Sequence, residues 1–168
     1  KLTGAATRIG FDFPKRRHPA WRFCHTALAS TEQHNQQHTV QQNLSILAPL
    51  GLAIDDAPAK MGYSDQDWRA SRALLPEEFQ DNYIVIQPTS RWFFKCWREA
   101  RMSALINALS DAGYPVVLTS GPDAREKQMI DTIMAGCPDA RLHSLAGLLT
   151  LRQLASVIDH ARLFIGVD

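Results

Sequence analysis

Through the second half of the chain, short apolar runs alternate with stretches of helical spacing. Tyr83-Ile-Val-Ile-Gln-Pro88 is an apolar run stopped by proline, which predicts a buried strand. Residues 98–112 follow with Met102, Leu105, Ile106 and Leu109 on one helical face, and Gly113 stands where a helix-ending glycine belongs. Pro115-Val-Val-Leu-Thr119 predicts a second strand, and Asp123 to about Ala135 a second helix with Met129, Ile130 and Ile133 inward. Thr150 is placed to cap a third helix carrying Leu151, Leu154, Val157 and Ile158, and Arg162 to Val167 predicts a final buried strand. Strands alternating with helices imply parallel pairing through right-handed crossovers. The expected fold class is therefore α/β, a Rossmann-like parallel sheet with helices on both faces.

The first half is less regular. Thr7 to Phe13 predicts a strand, and residues 35–50 predict a helix with Val40, Leu44 and Leu47 on one stripe. Ser64 is placed to cap another helix reaching Leu75. The polar, proline-bearing stretch Leu75-Pro76-Glu77-Glu78 marks a boundary near residue 80, giving units 1–80 and 81–168. No internal repeat and no low-complexity tract is visible.

Composition changes this picture little. With 168 residues, 45% hydrophobic and 21% charged, the chain can bury one good core or two small ones. A net charge of +1 gives no global field for nucleic acid. The charge is uneven, however: residues 1–25 hold six basic residues and one acid, 6 − 1 = +5, with Trp21 and Phe23 interleaved among Lys15, Arg16, Arg17 and Arg22. The three cysteines, Cys24, Cys96 and Cys137, form no CxxC pair, which points to a reducing cytoplasm. No apolar run reaches the roughly 18 residues of a membrane span. The chain begins without methionine and ends on a strand whose covering connection is not in the sequence, so it reads as a fragment.

Three candidate sites fall at the carboxyl ends of predicted strands, where ligands bind in such sheets. The loop Gln87 to Trp97 offers hydroxyls at Thr89 and Ser90 and cations at Arg91 and Lys95, and leads directly into a helix N-terminus with Lys95 just before it, a combination suited to an anion. A polar loop with a solvated lysine is the alternative. The turn Thr119-Ser-Gly-Pro-Asp123 lets a ligand approach the backbone, and Asp123 is either a ribose acceptor or only a helix cap. The third site is Gly166-Val-Asp168, a carboxylate beyond a strand. Neither GxGxxG nor a Walker-type loop occurs, which argues against a nicotinamide oxidoreductase and against an NTPase. His34 and His38, four apart, lack the Cys or acid that would complete a metal set, so capping or solvent-facing roles are expected. Trp92, Phe93, Phe94 and Trp97 read as packing beneath a loop, with a stacking surface as the alternative.

Taken in order, Gln87-Pro-Thr-Ser-Arg-Trp-Phe-Phe-Lys-Cys-Trp, Val117-Leu-Thr-Ser-Gly-Pro-Asp, Leu145-Ala-Gly and Leu163-Phe-Ile-Gly-Val-Asp resemble successive blocks of the bacterial lipopolysaccharide heptosyltransferase family. The wording of the first two blocks looks most like the heptosyltransferase III branch. Arg8-Ile-Gly-Phe-Asp-Phe and His38-Thr-Val-Gln-Gln-Asn-Leu are similar to the end of that family's first domain.

The resemblance implies a two-domain GT-B glycosyltransferase. Residues 1–80 would close the acceptor-side domain, and 81–168 would form part of the domain that binds ADP-heptose. It implies inverting transfer of heptose to a lipid-linked lipopolysaccharide core acceptor. This would occur in the cytoplasm, with peripheral contact at the inner membrane, and with no cofactor, no metal and no nucleic acid. By family position Lys95 would hold the diphosphate, with Thr89 and Ser90 lining the same pocket. Asp123 would meet the ribose, Leu149 the adenine, and Asp168 the donor sugar and diphosphate. The family's general base, an aspartate, would precede Lys1, and a histidine-bearing segment would follow Asp168. A non-catalytic nucleotide- or phosphate-binding α/β domain is the competing reading.

Overall fold

The computed structural model describes residues 4–16, 18–52, 60–79 and 82–167. Two compact units divide the chain, Lys1–Lys60 and Met61–Asp168.

The second unit is built on a parallel sheet of β3 (Ile84–Gln87), β4 (Val116–Leu118), β5 (Leu142–Ser144) and β6 (Leu163–Gly166), in the order β5-β4-β3-β6. In register, Ile84 pairs with Val116 on one side and Leu163 on the other. The helices α4 (Glu99–Asp111) and α5 (Ala124–Ala135) carry the chain outward from β3 to β5, and α6 (Leu151–Asp159) returns it to the opposite side of β3. The strand order therefore reverses beside β3, and a crevice opens beyond the carboxyl ends at such a switch point.

Alternating residues of the strands feed two cores. Ile84, Ile86, Val116 and Leu118 pack with Met102 and Ile106 of α4 and Met129, Ile130 and Ile133 of α5. On the other face Tyr83, Val85 and Val117 pack with Leu75, Phe79, Leu145 and Val157. Full burial of each large aliphatic side chain contributes about 1.5–3 kcal/mol relative to exposure. Tyr83 is fully buried, and its hydroxyl donates to the Val157 carbonyl at 2.8 Å, so no polar atom is stranded.

The boundary expected near residue 80 lies instead at 60/61, because α3 (Asp65–Arg72) packs on α6. Two buried serines let the helices approach: Ser156 donates to Ser71 at 3.1 Å, and Ser71 donates to the Asp67 carbonyl at 2.9 Å. Trp68 stacks on His160 with centroids 3.7 Å apart. The predicted capping at Ser64 and Thr150 is present in full, each as a reciprocal box with the third helical residue. Bonds from the Ser64 hydroxyl and backbone hold the Asp67 carboxyl below the usual aspartate range. Among the described residues β6 pairs with β3 alone, and its Leu163 and Phe164 are about half exposed.

The first unit centres on a short parallel pair, β1 (Ile9–Phe11) and β2 (Ala27–Ala29), joined through α1 (Pro19–Cys24). The helix expected over 35–50 is broken. A 3-10 turn at His34–Gln36 precedes α2 (Thr39–Leu44), and a second, Ser45–Leu50, contains Pro49 and ends at Gly51 with φ +69°. Proline removes a backbone donor, and the left-handed turn stops the helix. His38 caps α2 through Nδ1, one of the two roles expected of it, and His18 caps α1 in the same way; His34 does not cap, and its Nδ1 is buried. Among the described residues no group of three His, Cys, Asp or Glu is arranged to hold a metal, and no helix is long and apolar enough to cross a membrane.

Candidate functional site

Of the polar residues singled out by sequence, Thr89 and Ser90 lie in the loop after β3 and Asp123 in the loop after β4. How they are held differs from expectation. Thr89, two residues past β3, is buried, and its hydroxyl donates to Glu126 Oε2 at 2.7 Å. Gln87 Nε2 donates to Thr89 Oγ1 at 3.0 Å, and the buried Thr119 hydroxyl donates to Gln87 Oε1 at 2.6 Å. From the β4 loop the Gly121 N–H donates to the same Glu126 oxygen at 3.0 Å. A directed chain thus runs Thr119 to Gln87 to Thr89 to Glu126, and each donor polarises the next toward the carboxylate. It ties the ends of β3 and β4 to the first turn of α5.

Glu126 is the residue the sequence reading missed. An acid in the first turn of a helix reads as ordinary dipole complementarity, and nothing local links it to Thr89, 37 positions away. The one signal was the glycine before it. A Cβ at Gly121 would stand 3.2 Å from Glu126 Oε1, so the carboxylate lies directly against the loop. Oε2 takes both bonds; Oε1 has no hydrogen-bond partner among the described residues.

Asp123 caps α5, with Oδ1 accepting from the N–H groups of Arg125 at 2.9 Å and Glu126 at 3.4 Å. Its side chain is exposed at the same strand end. Ser90 Oγ accepts from the Trp92 N–H at 3.2 Å, which folds the β3 loop into a tight turn. Lys95 is half-buried and closes a 3-10 turn, Phe93–Lys95. It does not sit at the helix start, because Cys96 to Arg98 intervene before α4 begins at Glu99. Of the four aromatics expected beneath the loop, only Phe93 packs on the core, with the Arg125 guanidinium 3.8 Å over its ring. Trp92, Phe94 and Trp97 are exposed.

The β5 loop completes the rim. Gly147, at φ +69°, donates to the Ser120 carbonyl at 3.0 Å. A Cβ there would also stand 3.1 Å from the Pro122 Cα, so glycine suits both the left-handed backbone and the close approach of the β4 loop. Leu149 is half-buried against the second core, while its neighbour Leu148 is exposed. Asp168 lies outside the described residues.

A doubly wound α/β domain whose polar loop residues gather beyond the strand ends is an architecture that binds ligands at its switch point. The profile of glycosyltransferase family 9 (heptosyltransferase) matches residues 1–168, and the chain belongs to that family. It is 41% identical over 169 residues to "Lipopolysaccharide heptosyltransferase 3" of Escherichia coli, covering all of this chain and 49% of the relative. It is 39% identical to the protein of the same name from strain K12, covering 98% and 47%. The chain thus spans about half the length of the curated relatives it matches. Among solved structures, a family 9 glycosyltransferase from Veillonella parvula superposes with a TM-score of 0.76 at 16% identity, covering 98% of this chain and 46% of that one. The E. coli heptosyltransferase WaaC, solved with ADP-2-deoxy-2-fluoro heptose, gives 0.65 at 21% identity, covering 96% and 48%. At such identities the two structures speak to the fold alone.

Proposed function

We propose that this chain is part of a glycosyltransferase that moves heptose from ADP-heptose to the inner core of lipopolysaccharide with inversion, as the side-branch transferase named heptosyltransferase 3. The carrying observation is the match to that named relative along the whole chain. It is joined by the Thr89–Glu126 tie and the Asp123 cap at the ends of β3 and β4, with Ser90 in the β3 loop. The unit Met61–Asp168 would be the donor side, and Lys1–Lys60 the end of the acceptor side. The reaction would take place in the cytoplasm, where the basic stretch Lys15 to Arg22 would meet an anionic membrane or acceptor.

In this reading an acceptor hydroxyl attacks the anomeric carbon as ADP leaves. Lys95 brings a full positive charge to the leaving diphosphate, where negative charge grows as the sugar–phosphate bond breaks. Ser90 lines the phosphate pocket. Thr89 contributes by fixing Glu126, since its hydroxyl is already committed there. Asp123 and Glu126 each keep one oxygen clear of the bonds described, which suits the two ribose hydroxyls. Leu149, with Leu148 beside it, forms an apolar wall for the adenine, and Asp168 approaches the donor sugar and diphosphate. The test is calorimetry of ADP and adenosine against wild type and Lys95→Ala. ADP affinity should fall roughly tenfold and adenosine affinity less than about twofold, as loss of a charge-assisted phosphate contact requires. Equal losses for the two ligands would remove Lys95 from the diphosphate site.

A further inference from the structure

Two consecutive residues of α5 reach back to the loop that follows β3. Glu126 accepts from the Thr89 hydroxyl at the root of that loop, at 2.7 Å. Arg125 reaches its far part, where the guanidinium carbon lies 3.8 Å from the centre of the Phe93 ring. Phe93 opens the 3-10 turn that Lys95 closes. Around this turn the Lys95 N–H donates to the Trp92 carbonyl at 2.8 Å and the Cys96 N–H to the Phe93 carbonyl at 3.1 Å. Trp92 and Phe94 on either side are exposed, whereas Phe93 packs against the core of β3, α4 and α5, so Phe93 anchors the turn. Arg125 itself starts from a fixed base, because its N–H is bound by Asp123 Oδ1 at 2.9 Å. A groove of about 230 Å³ runs beside the stack, lined also by Glu99 of α4 and by Gln128 and Thr132 of α5, so water reaches the ring when the guanidinium is removed.

A lysine carries its charge on a flexible four-carbon stem, so its backbone decides where that charge can act. A displacement of about 1 Å is enough to spoil a catalytic contact. We propose that Arg125 is a positioning residue for the transfer reaction: stacked on Phe93, it holds the turn that carries Lys95 against the first turn of α5, where Asp123 stands two residues earlier. A cation over an aromatic face supplies the attraction, and the planar guanidinium covers the ring as a flat lid. The inference rests on the reading that Lys95 serves the diphosphate and Asp123 the ribose, and it adds what keeps those two contacts at a fixed spacing.

Arg125→Ala and Phe93→Leu separate this role from a direct one. Arg125 is exposed, and leucine keeps the apolar packing of position 93, so both chains fold. Amide exchange of the full chain, followed by NMR, should quicken about two- to fivefold at Lys95 and Cys96 in each variant, the weight of an exposed cation–π contact, with Ile106 and Ile130 of the core unchanged. ADP affinity by calorimetry should fall by about the same factor, and adenosine affinity should hold. The double variant should lose no more than either single one, and Arg125→Ala should cost nothing further on Lys95→Ala. Unchanged exchange at the turn overturns the clamp. Equal losses of ADP and adenosine overturn the positioning role, and so does a loss that adds to that of Lys95→Ala, which would make Arg125 a phosphate contact in its own right. Lys95→Ala with wild-type ADP affinity removes the diphosphate reading on which the role rests, and that failure is told apart by turn amides that still quicken in Arg125→Ala.

Discussion

Replacing Thr89 by valine keeps the side-chain shape and removes the hydroxyl at the middle of the strand-end chain. Two bonds are lost: donation to Glu126 at 2.7 Å and acceptance from Gln87 at 3.0 Å. A hydrogen bond to a charged group contributes about 1.5–3 kcal/mol and a neutral one about 1 kcal/mol. Gln87 is only half-buried, so water recovers part of its loss; Thr89 is 2% exposed, so nothing replaces the bond to Glu126 from its side. The expected cost is about 2–4 kcal/mol, which lowers the melting temperature of a unit this size by roughly 10–20 °C. Urea denaturation followed by tryptophan fluorescence measures it. A cycle with Glu126→Ala isolates the pair, and the two substitutions should show a coupling of at least about 1 kcal/mol. A Thr89→Val chain within about 0.5 kcal/mol of wild type, the range of a substitution that touches nothing special, or strict additivity with Glu126→Ala, would refute the reasoning.

Three further outcomes follow from the same geometry. Asp123→Asn keeps the α5 cap, since asparagine caps as well as aspartate, and should weaken ADP more than 2′-deoxy-ADP in calorimetry; equal losses would leave Asp123 with capping alone. Burial pushes the Cys137 thiol above its ordinary pKa, so iodoacetamide at mildly alkaline pH should alkylate exposed Cys24 and spare Cys137 until the chain unfolds; equal rates at the two in the folded chain would contradict the core placement. Replacing Lys15, Arg16, Arg17 and Arg22 together should abolish co-sedimentation with anionic vesicles, each cation near such a surface contributing about 1 kcal/mol; unchanged binding would dismiss the membrane contact.

The second unit was largely legible because its strands are continuous apolar runs and its helices carry caps. Ile84–Gln87, Val116–Leu118 and the Thr150 box needed no tertiary information. The strands that escaped notice, β2 and β5, have three residues each and little apolar signal: Leu142-His-Ser is an edge strand with no fully buried residue, and its place comes from pairing with β4. The boundary was misplaced because Pro76-Glu-Glu looks like a linker, whereas what decides is the packing of α3 on α6, about 85 residues apart at Ser71 and Ser156. In the site, loop hydroxyls and the lysine were visible as residue types. Their commitments were not. Thr89 looked like a phosphate donor and is spent on Glu126, an acid whose role appears only when strand ends and helix start are brought together.

The central claim is that the strand-end site handles ADP-heptose with Lys95 at the diphosphate. Its most direct test is the rate of heptose transfer by the full-length protein at saturating donor. Lys95→Ala should slow turnover on the order of a hundredfold, about 3 kcal/mol in the barrier by analogy with loss of an oxyanion donor. Lys95→Arg should recover only part of that, because a planar fork does not replace a compact ammonium. Transfer by Lys95→Ala at the wild-type rate would contradict the assignment.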